Sequence, residues 1–194
     1  MPPAEWNFTV RLDGKPIGTH RFVLAPEGDG GLALSSEAQY DVTLLGIPLY
    51  RYRHRASERW ASGCLVSIDA RTDDNGRRTE VRGQAQGGRF DLQVRDEGRP
   101  VPAPAAPPGC LMSFAYWNPA LAEQKHLLDP GHGRIEPVAI AALAAVPTDL
   151  KAQPVRGLGI GGLVQPIDVW YLGERWVGLD TVVGDGRRLS YRLR

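Results

Sequence analysis

Three kinds of chemistry are thinly supplied in this sequence. Two cysteines, Cys64 and Cys110, among 194 residues allow one intramolecular disulfide and no four-cysteine zinc site. Only three of the 23 basic residues are lysines (Lys15, Lys125, Lys151) and the formal net charge is +1, whereas a nucleic-acid footprint would need a clear basic excess. No apolar run approaches the about 18 residues of a membrane-spanning helix. The opening Met1-Pro2-Pro3-Ala4-Glu5 lacks the charged and apolar regions of a signal peptide, so the chain reads as soluble, starting either in the cytoplasm or after a removed signal.

Signatures of catalysis are equally sparse. His20, His54, His126 and His132 show no H-x-x-x-H or similar spacing, so no metal and no cofactor are expected. The run Gly157-Leu158-Gly159-Ile160-Gly161-Gly162 has no following Lys-Ser and no acidic partner in a βαβ frame, and reads as a flexible bend between strands. Ser113 has no nucleophile-elbow glycines beside it. No catalytic residue can be assigned.

What the chain does have is alternation. From Tyr50 onward, Tyr50, Tyr52, His54, Ala56, Glu58 and Trp60 fall on one side, and Arg51, Arg53, Arg55, Ser57 and Arg59 on the other. That is the period of a β-strand, with an aromatic face toward a core or cavity and an arginine face toward water. The same period runs through Trp6, Phe8, Val10 and Leu12, and through Leu32 to Leu44. Turn chemistry punctuates these runs at Asp13-Gly14, Gly46-Pro48, Ser62-Gly63, Asp73-Asp74-Asn75-Gly76, Gly173-Glu174 and Gly184-Asp185-Gly186.

One region departs from the pattern. Residues 99–109 carry Pro100, Pro102, Pro104, Pro107 and Pro108 and are expected to cross the domain in extended form. The segment 110–128 is the one helical expectation: Asn118 as N-cap, Pro119 at the first helical position, and Leu121, Lys125 and Leu128 at helical spacing, closed by Asp129-Pro130-Gly131. The C-terminal third returns to strands. The fold class is therefore mainly β (α+β), a single domain over residues 1–194. A single antiparallel sheet of about eleven strands must curl into a half-barrel, with one or two short helices on its concave side.

That layout resembles the half-barrel of bacterial lipoprotein carriers of the LolA, LolB and LppX type, which implies shelter for acyl chains. Particular residues carry a closer resemblance: Trp6-x-Phe8-x-Val10, Leu12-Asp13-Gly14-x-Pro16-Ile17-Gly18, Tyr50-x-Tyr52-x-His54, Trp60-x-x-x-Cys64-Leu65, Phe114-Ala115-Tyr116-Trp117-Asn118-Pro119 and Val169-Trp170-Tyr171. On these the chain resembles a family of exported bacterial β-rich proteins of about this length with no established activity. The resemblance implies a periplasmic or secreted location and supplies no catalytic residues.

Cys64 and Cys110 either pair or sit apart as two small buried hydrophobes; export would favour pairing. His54 and Glu58 lie four apart on one strand face, about 13 Å at strand rise, too far to touch. The aromatic inward residues suit an amphiphilic ligand. The expected function is binding or carriage of a lipid or other hydrophobic small molecule, with Tyr50, Tyr52, His54, Trp60, Phe114, Trp117 and Leu121 lining the site. Two alternatives stand beside it: an interaction module with a filled core, and a cavity enzyme using His54 and Glu58 or His126.

Overall fold

Among the described residues, five two-residue hairpin turns share one backbone conformation. Strands β1 (Ala4–Leu12) and β2 (Lys15–Glu27) join at Asp13-Gly14; β3 (Gly31–Leu44) is followed by β4 (Ile47–Ala61), which meets β5 (Cys64–Asp74) at Ser62-Gly63. Asn75-Gly76 leads to β6 (Arg77–Gln86), Gly87-Gly88 to β7 (Arg89–Asp96), and Glu97-Gly98 to β8 (Arg99–Val101). Both residues of each pair have positive φ, between 50° and 98°. That is the conformation whose twist matches the flanking strands, and glycine in second place adopts it without a Cβ penalty. The computed structural model describes residues 3–45, 47–184 and 186–194. Gly46 and Asp185, both expected in turns, lie outside the described residues.

After β8 come β9 (Met112–Ser113), β10 (His126–Asp129) and β11 (Arg134–Pro137), then β12 (Ala139–Leu143), β13 (Val155–Gly161), β14 (Ile167–Leu172), β15 (Arg175–Val183) and β16 (Arg187–Leu193). The main sheet runs β12-β13-β14-β15-β16-β1-β2-β3-β4-β5-β6-β7-β8, so it has thirteen strands rather than about eleven, and β9 to β11 form a small second sheet. Every pairing in the large sheet is antiparallel. The fold is mainly β, as expected, and the sheet does not close, since β8 and β12 remain its two ends.

Two segments differ from the expectation. Arg99–Val101, expected in the proline-rich crossing, forms β8; an edge position tolerates Pro100, whose missing N–H would break a central ladder. Of the glycine run expected to bend, Gly157 to Gly161 instead belong to β13 and only Gly162 lies beyond it. Gly157 pairs with Trp170, and a Cβ added at Gly157 would lie 2.4 Å from that indole. The glycine makes room for the ring within a strand.

The helical expectation for residues 110–128 is corrected. The described residues contain no α-helix, only three short 3-10 turns. Asn118 does cap one of them, Pro119–Glu123, its side chain accepting the Ala120 N–H at 3.1 Å with Pro119 in the first turn. The turn ends at Gln124 because the next residues find strand partners: Leu127 pairs with Met112, and Leu128 with Ser113. Only about ten residues separate Pro119 from the stop at Asp129-Pro130, too few for a helix to hold by itself.

The segment between β8 and β12 lies inside the curl. Tyr171 of β14 donates to the Tyr116 carbonyl at 2.9 Å, while a Cβ at Gly133 would strike Val94 of β7 at 2.4 Å. One short insert thus touches strands from both arms of the sheet. Leu111, Met112, Ala115, Trp117, Leu121, Leu127 and Leu128 are all buried with Trp6, Phe8, Phe22, Leu24, Trp60, Leu65 and Trp176 in one core. Cys64 and Cys110 are disulfide-bonded, with Cα atoms 5.2 Å apart, and the Leu65 N–H donates to the Leu111 carbonyl beside them at 2.9 Å. Among the described residues no helix is long and apolar enough to cross a membrane.

On the convex side the arginines of β4 meet carboxylates of neighbouring strands: Arg53 with Asp41 at 2.8 Å, Arg55 with Glu37 at 2.7 Å, Arg59 with Glu27 at 2.7 Å. Exposed pairs of this kind favour one register more than they add stability.

The disulfide closes a loop with a sequence separation of 46, for which chain entropy gives about 4 kcal/mol. A Cys64→Ser, Cys110→Ser double variant is expected to lose stability of that order in urea unfolding. A loss below about 1 kcal/mol would mean that the insert is held by packing alone.

Candidate functional site

Register decides which inward residues meet. One row across the sheet reads Leu193, Phe8, His20, Ala38, His54, Thr72, Thr79. The next, nearer the β1–β2 turn, reads Tyr191, Val10, Gly18, Tyr40, Tyr52, Asp74. The rows on the other side carry Phe22, Ser36, Ala56, Ala70 and Val81, then Leu24, Leu34, Glu58 and Ile68. The inner face therefore grades from an apolar floor to an aromatic, hydroxyl-rich end.

At that end the small residues set the spacing. Ala38 separates His20 from His54, so the two imidazoles face each other with centroids 6.4 Å apart. Tyr40 stacks on Tyr52 at 5.1 Å and 11°. The Tyr40 and Tyr191 hydroxyls are hydrogen-bonded to each other, and His20 Nδ1 lies 3.3 Å from the first and 3.5 Å from the second. His54 Nδ1 bonds Thr72 Oγ1 at 2.9 Å. The other ring nitrogen of His20, Nε2, is buried and has no protein partner. His20, Tyr52, Tyr116 and Tyr191 nevertheless keep part of their surface accessible.

Burial holds these groups neutral. It depresses His20 well below the usual imidazole range, with His54 nearby adding to the effect. It lowers His54 to about 4, Asp129 opposing and His132 assisting. It pushes Tyr191 up to about 12 and raises Tyr40, Tyr52 and Tyr116 well above the ordinary phenol. A turn of the insert covers part of this end: a Cβ at Gly131 would lie 3.6 Å from the Tyr52 hydroxyl and 3.8 Å from Thr72 Oγ1. Burial works to raise Asp129 in that turn, but hydrogen bonds from His132 at 2.8 Å and from the Gly131 N–H at 2.8 Å outweigh it and keep the carboxyl low.

Glu58 belongs to the apolar floor. It accepts from Trp60 Nε1 and from Ser113 Oγ, both at 3.0 Å, so a strand carboxyl is tied to the insert. Burial pushes it up to about 7 against those two bonds. His54 and Glu58 have separate partners and do not form a catalytic pair.

The seven expected ligand residues thus divide. Trp60, Trp117 and Leu121 are buried in the core, with Trp60 edge-on to Trp117 at 5.2 Å. Phe114 is half-buried beside Tyr116 at 6.2 Å. Tyr52 and His54 stand in the aromatic, hydroxyl-rich end, and Tyr50 is half-buried next to it. Sequence reasoning missed His20, Tyr40, Thr72, Tyr116, Asp129 and Tyr191 as companions of His54. His20, Tyr40 and Tyr191 did lie on inward-alternating positions, but only register joins them. Among the described residues no group of three or more His, Cys, Asp or Glu is placed to hold a metal ion. A depression of about 480 Å³ lies where β3 to β6 run side by side, bordered by Arg53, Arg55, Arg71 and Arg78 with Glu37 and Glu80.

Residues 8–194 match the family model described as Domain of unknown function (DUF6134). Among solved structures, the chain is similar to the crystal structure of a beta-barrel-like protein of domain of unknown function DUF1849 from Brucella abortus. The TM-score is 0.65 at 12% identity, with 100% of this chain and 96% of that chain covered. At that identity the likeness shows the fold alone. No curated protein matches the sequence. The expected resemblance to a β-rich family of unassigned activity is borne out.

The Glu58 carboxyl carries a pH dependence of definite sign. Its pKa is raised on folding, to about 7, so its contribution to stability is full below the ordinary carboxyl range and is lost as pH rises through 7. The loss is about 3 kcal/mol. Glu58→Gln keeps an acceptor for Trp60 and Ser113 and removes the titration. In urea unfolding its stability relative to the unmodified protein is expected to rise by about 3 kcal/mol between pH 5 and pH 8. The same difference at both pH values would refute a neutral buried acid.

Proposed function

The chain belongs to the DUF6134 family, and from the aromatic end of its inner face we propose that it binds a lipid or other hydrophobic small molecule with an uncharged, hydrogen-bonding head. The carrying observation is His20. Its ring is neutral, Nδ1 faces two tyrosine hydroxyls, and Nε2 is buried without a partner. An unsatisfied buried polar atom costs about 1–3 kcal/mol, and a ligand hydroxyl or carbonyl at that nitrogen would recover it.

The lining favours a neutral head over an anionic one. Within the two rows that form this end, the arginine is Arg77, at the rim and paired with Asp96 at 2.6 Å. The half-covered faces of Tyr52, Tyr116 and Tyr191 supply apolar surface with polar tips, which suits an amphiphile. The apolar floor is occupied by the insert, so we assign Trp60, Trp117 and Leu121 to the core and keep Tyr50, Tyr52, His54 and Phe114 as ligand contacts beside His20, Tyr40 and Tyr191. The disulfide supports a periplasmic or secreted setting for this binding or carrier role, because such bonds persist in oxidising compartments.

Titration calorimetry with a monoacylglycerol, and with the fatty acid of the same chain length, tests the reading. The neutral ligand is expected to bind more tightly, and Tyr191→Phe or His20→Phe to weaken it about tenfold, the equivalent of one well-placed hydrogen bond. No heat with either ligand, or unchanged affinity in both variants, would sink the proposal.

A further inference from the structure

Exposed apolar side chains in this protein gather at one end. Of the seven large hydrophobic residues that stand exposed among the described residues, five sit there: Leu45 (94%), Ile47 (63%) and Leu49 (55%) on the β3–β4 hairpin, Val164 (99%) in the β13–β14 loop, and Val182 (51%) at the end of β15. The register shows that these share one rim. β1 ends where β2 and β16 begin, through Leu12 pairing with Lys15 and Leu189. β3 ends beside the start of β2, β15 ends beside the start of β16, and β14 starts beside the end of β15. Of the other two, Leu172 lies at the end of β14 on the opposite rim, and Val101 lies in the short edge strand β8, paired with Val94 inside the sheet.

The two longest tips are also free of charge. Residues 42–50 and residues 157–167 contain no Asp, Glu, Lys, Arg or His. The β3–β4 hairpin reaches beyond its neighbour: Tyr52 already faces Asp74 at the end of β5, leaving Ile47 to Arg51 past that strand. Leu45, Ile47 and Leu49 stand exposed together within one hairpin, a local cluster and not a single scattered side chain, and clustered exposed apolar surface marks an interaction site.

We propose that this rim docks on a lipid bilayer, with Leu45, Ile47 and Val164 entering the interfacial region. The shape of the patch selects that partner over a second copy of the chain. A stable protein interface buries about 800 Å² per side across some twenty to thirty packed residues, and five side chains on three separate projections offer no such continuous face. A fluid bilayer closes around each projection independently, and insertion scales with the apolar area that enters it. The same rim borders the row of Tyr40, Tyr52 and Tyr191, but the docking inference rests on exposure and register and does not depend on the ligand reading.

Flotation with vesicles of phosphatidylcholine, and of phosphatidylcholine containing phosphatidylglycerol, decides the matter. The unmodified protein is expected to float with both, losing less than about twofold between 0.15 M and 0.5 M salt, because insertion is apolar and screening acts on charge. Leu45→Glu, Ile47→Glu and Val164→Glu combined are expected to reduce flotation at least about fivefold, while Leu172→Glu at the opposite rim leaves it unchanged. Failure of the unmodified protein to float, equal flotation of the triple variant, loss with Leu172→Glu, or binding confined to phosphatidylglycerol and abolished by salt would each overturn the proposal. So would a dimer in light scattering that the triple variant dissolves. Calorimetric ligand binding measured without vesicles is untouched by any of these outcomes, so the two readings fail separately.

Discussion

A sheet of thirteen strands with one apolar face has to cover that face, and in this chain the cover is the insert between β8 and β12. Curling alone would leave the two arms of the sheet too far apart to pack on each other. The insert enters beside Cys64, runs under Trp60 and Glu58, and places Tyr116 against Trp176 at 5.0 Å on the far arm. Its own backbone polar groups are met by the small β9–β10–β11 sheet and by single bonds to the large one. Irregular chain can sit inside a β-fold only when those groups are met.

This arrangement divides the inner face. The insert supplies leucines and Trp117 where it shares one core with Leu24, Leu34, Ile68 and Leu65, all of them buried. Toward the β1–β2 turn it offers Asp129, Pro130, Gly131 and His132 instead, a turn whose hydrogen bonds are made within itself. A turn satisfied internally has little left to give to the sheet below it. The hydroxyls and imidazoles of the sheet there bond to one another, and His20 Nε2 goes without. The hydroxyl-rich end and the apolar end are thus two consequences of one insert sequence.

Much of this was legible beforehand. Alternation from Tyr50 to Trp60 shows which side faces in, because a one-residue slip would have placed four arginines in the core. Two of the two-residue turns announced themselves, as Asp13-Gly14 and Asn75-Gly76. The insert was harder: Asn118 and Pro119 are genuine start signals, yet local capping cannot say whether the following residues will find a strand to pair with, and Leu127 and Leu128 do. Tertiary pairing overrode a weak helical preference. The His20, Tyr40, Tyr191 cluster lay beyond sequence reasoning for another reason. Tyr40 and Tyr191 are separated by 151 positions and meet only because β16 pairs with β1, a junction between the chain's two ends that no local pattern encodes.

The inward titratable groups share a direction that tells something about what the interior is for. Burial drives the carboxyl of Glu58 up and the imidazoles of His20 and His54 down, so acid and bases alike are moved toward their uncharged forms. The linkage signs are opposite: Glu58 withdraws stability as pH rises through 7, and His54 withdraws it as pH falls from the ordinary imidazole range toward 4. A core designed only for stability would gain by replacing all three with apolar residues of similar volume. Neutral donors and acceptors on a strand face, with Asp74 and Arg77 at the rim and Asp129 in the covering turn, are what the proposed recognition by hydrogen-bond geometry would need. Glu58 serves the inside of the protein in that way, by holding Ser113 of the insert. On the proposed reading, His20, with one nitrogen engaged and the other without a protein partner, would do the same for a ligand.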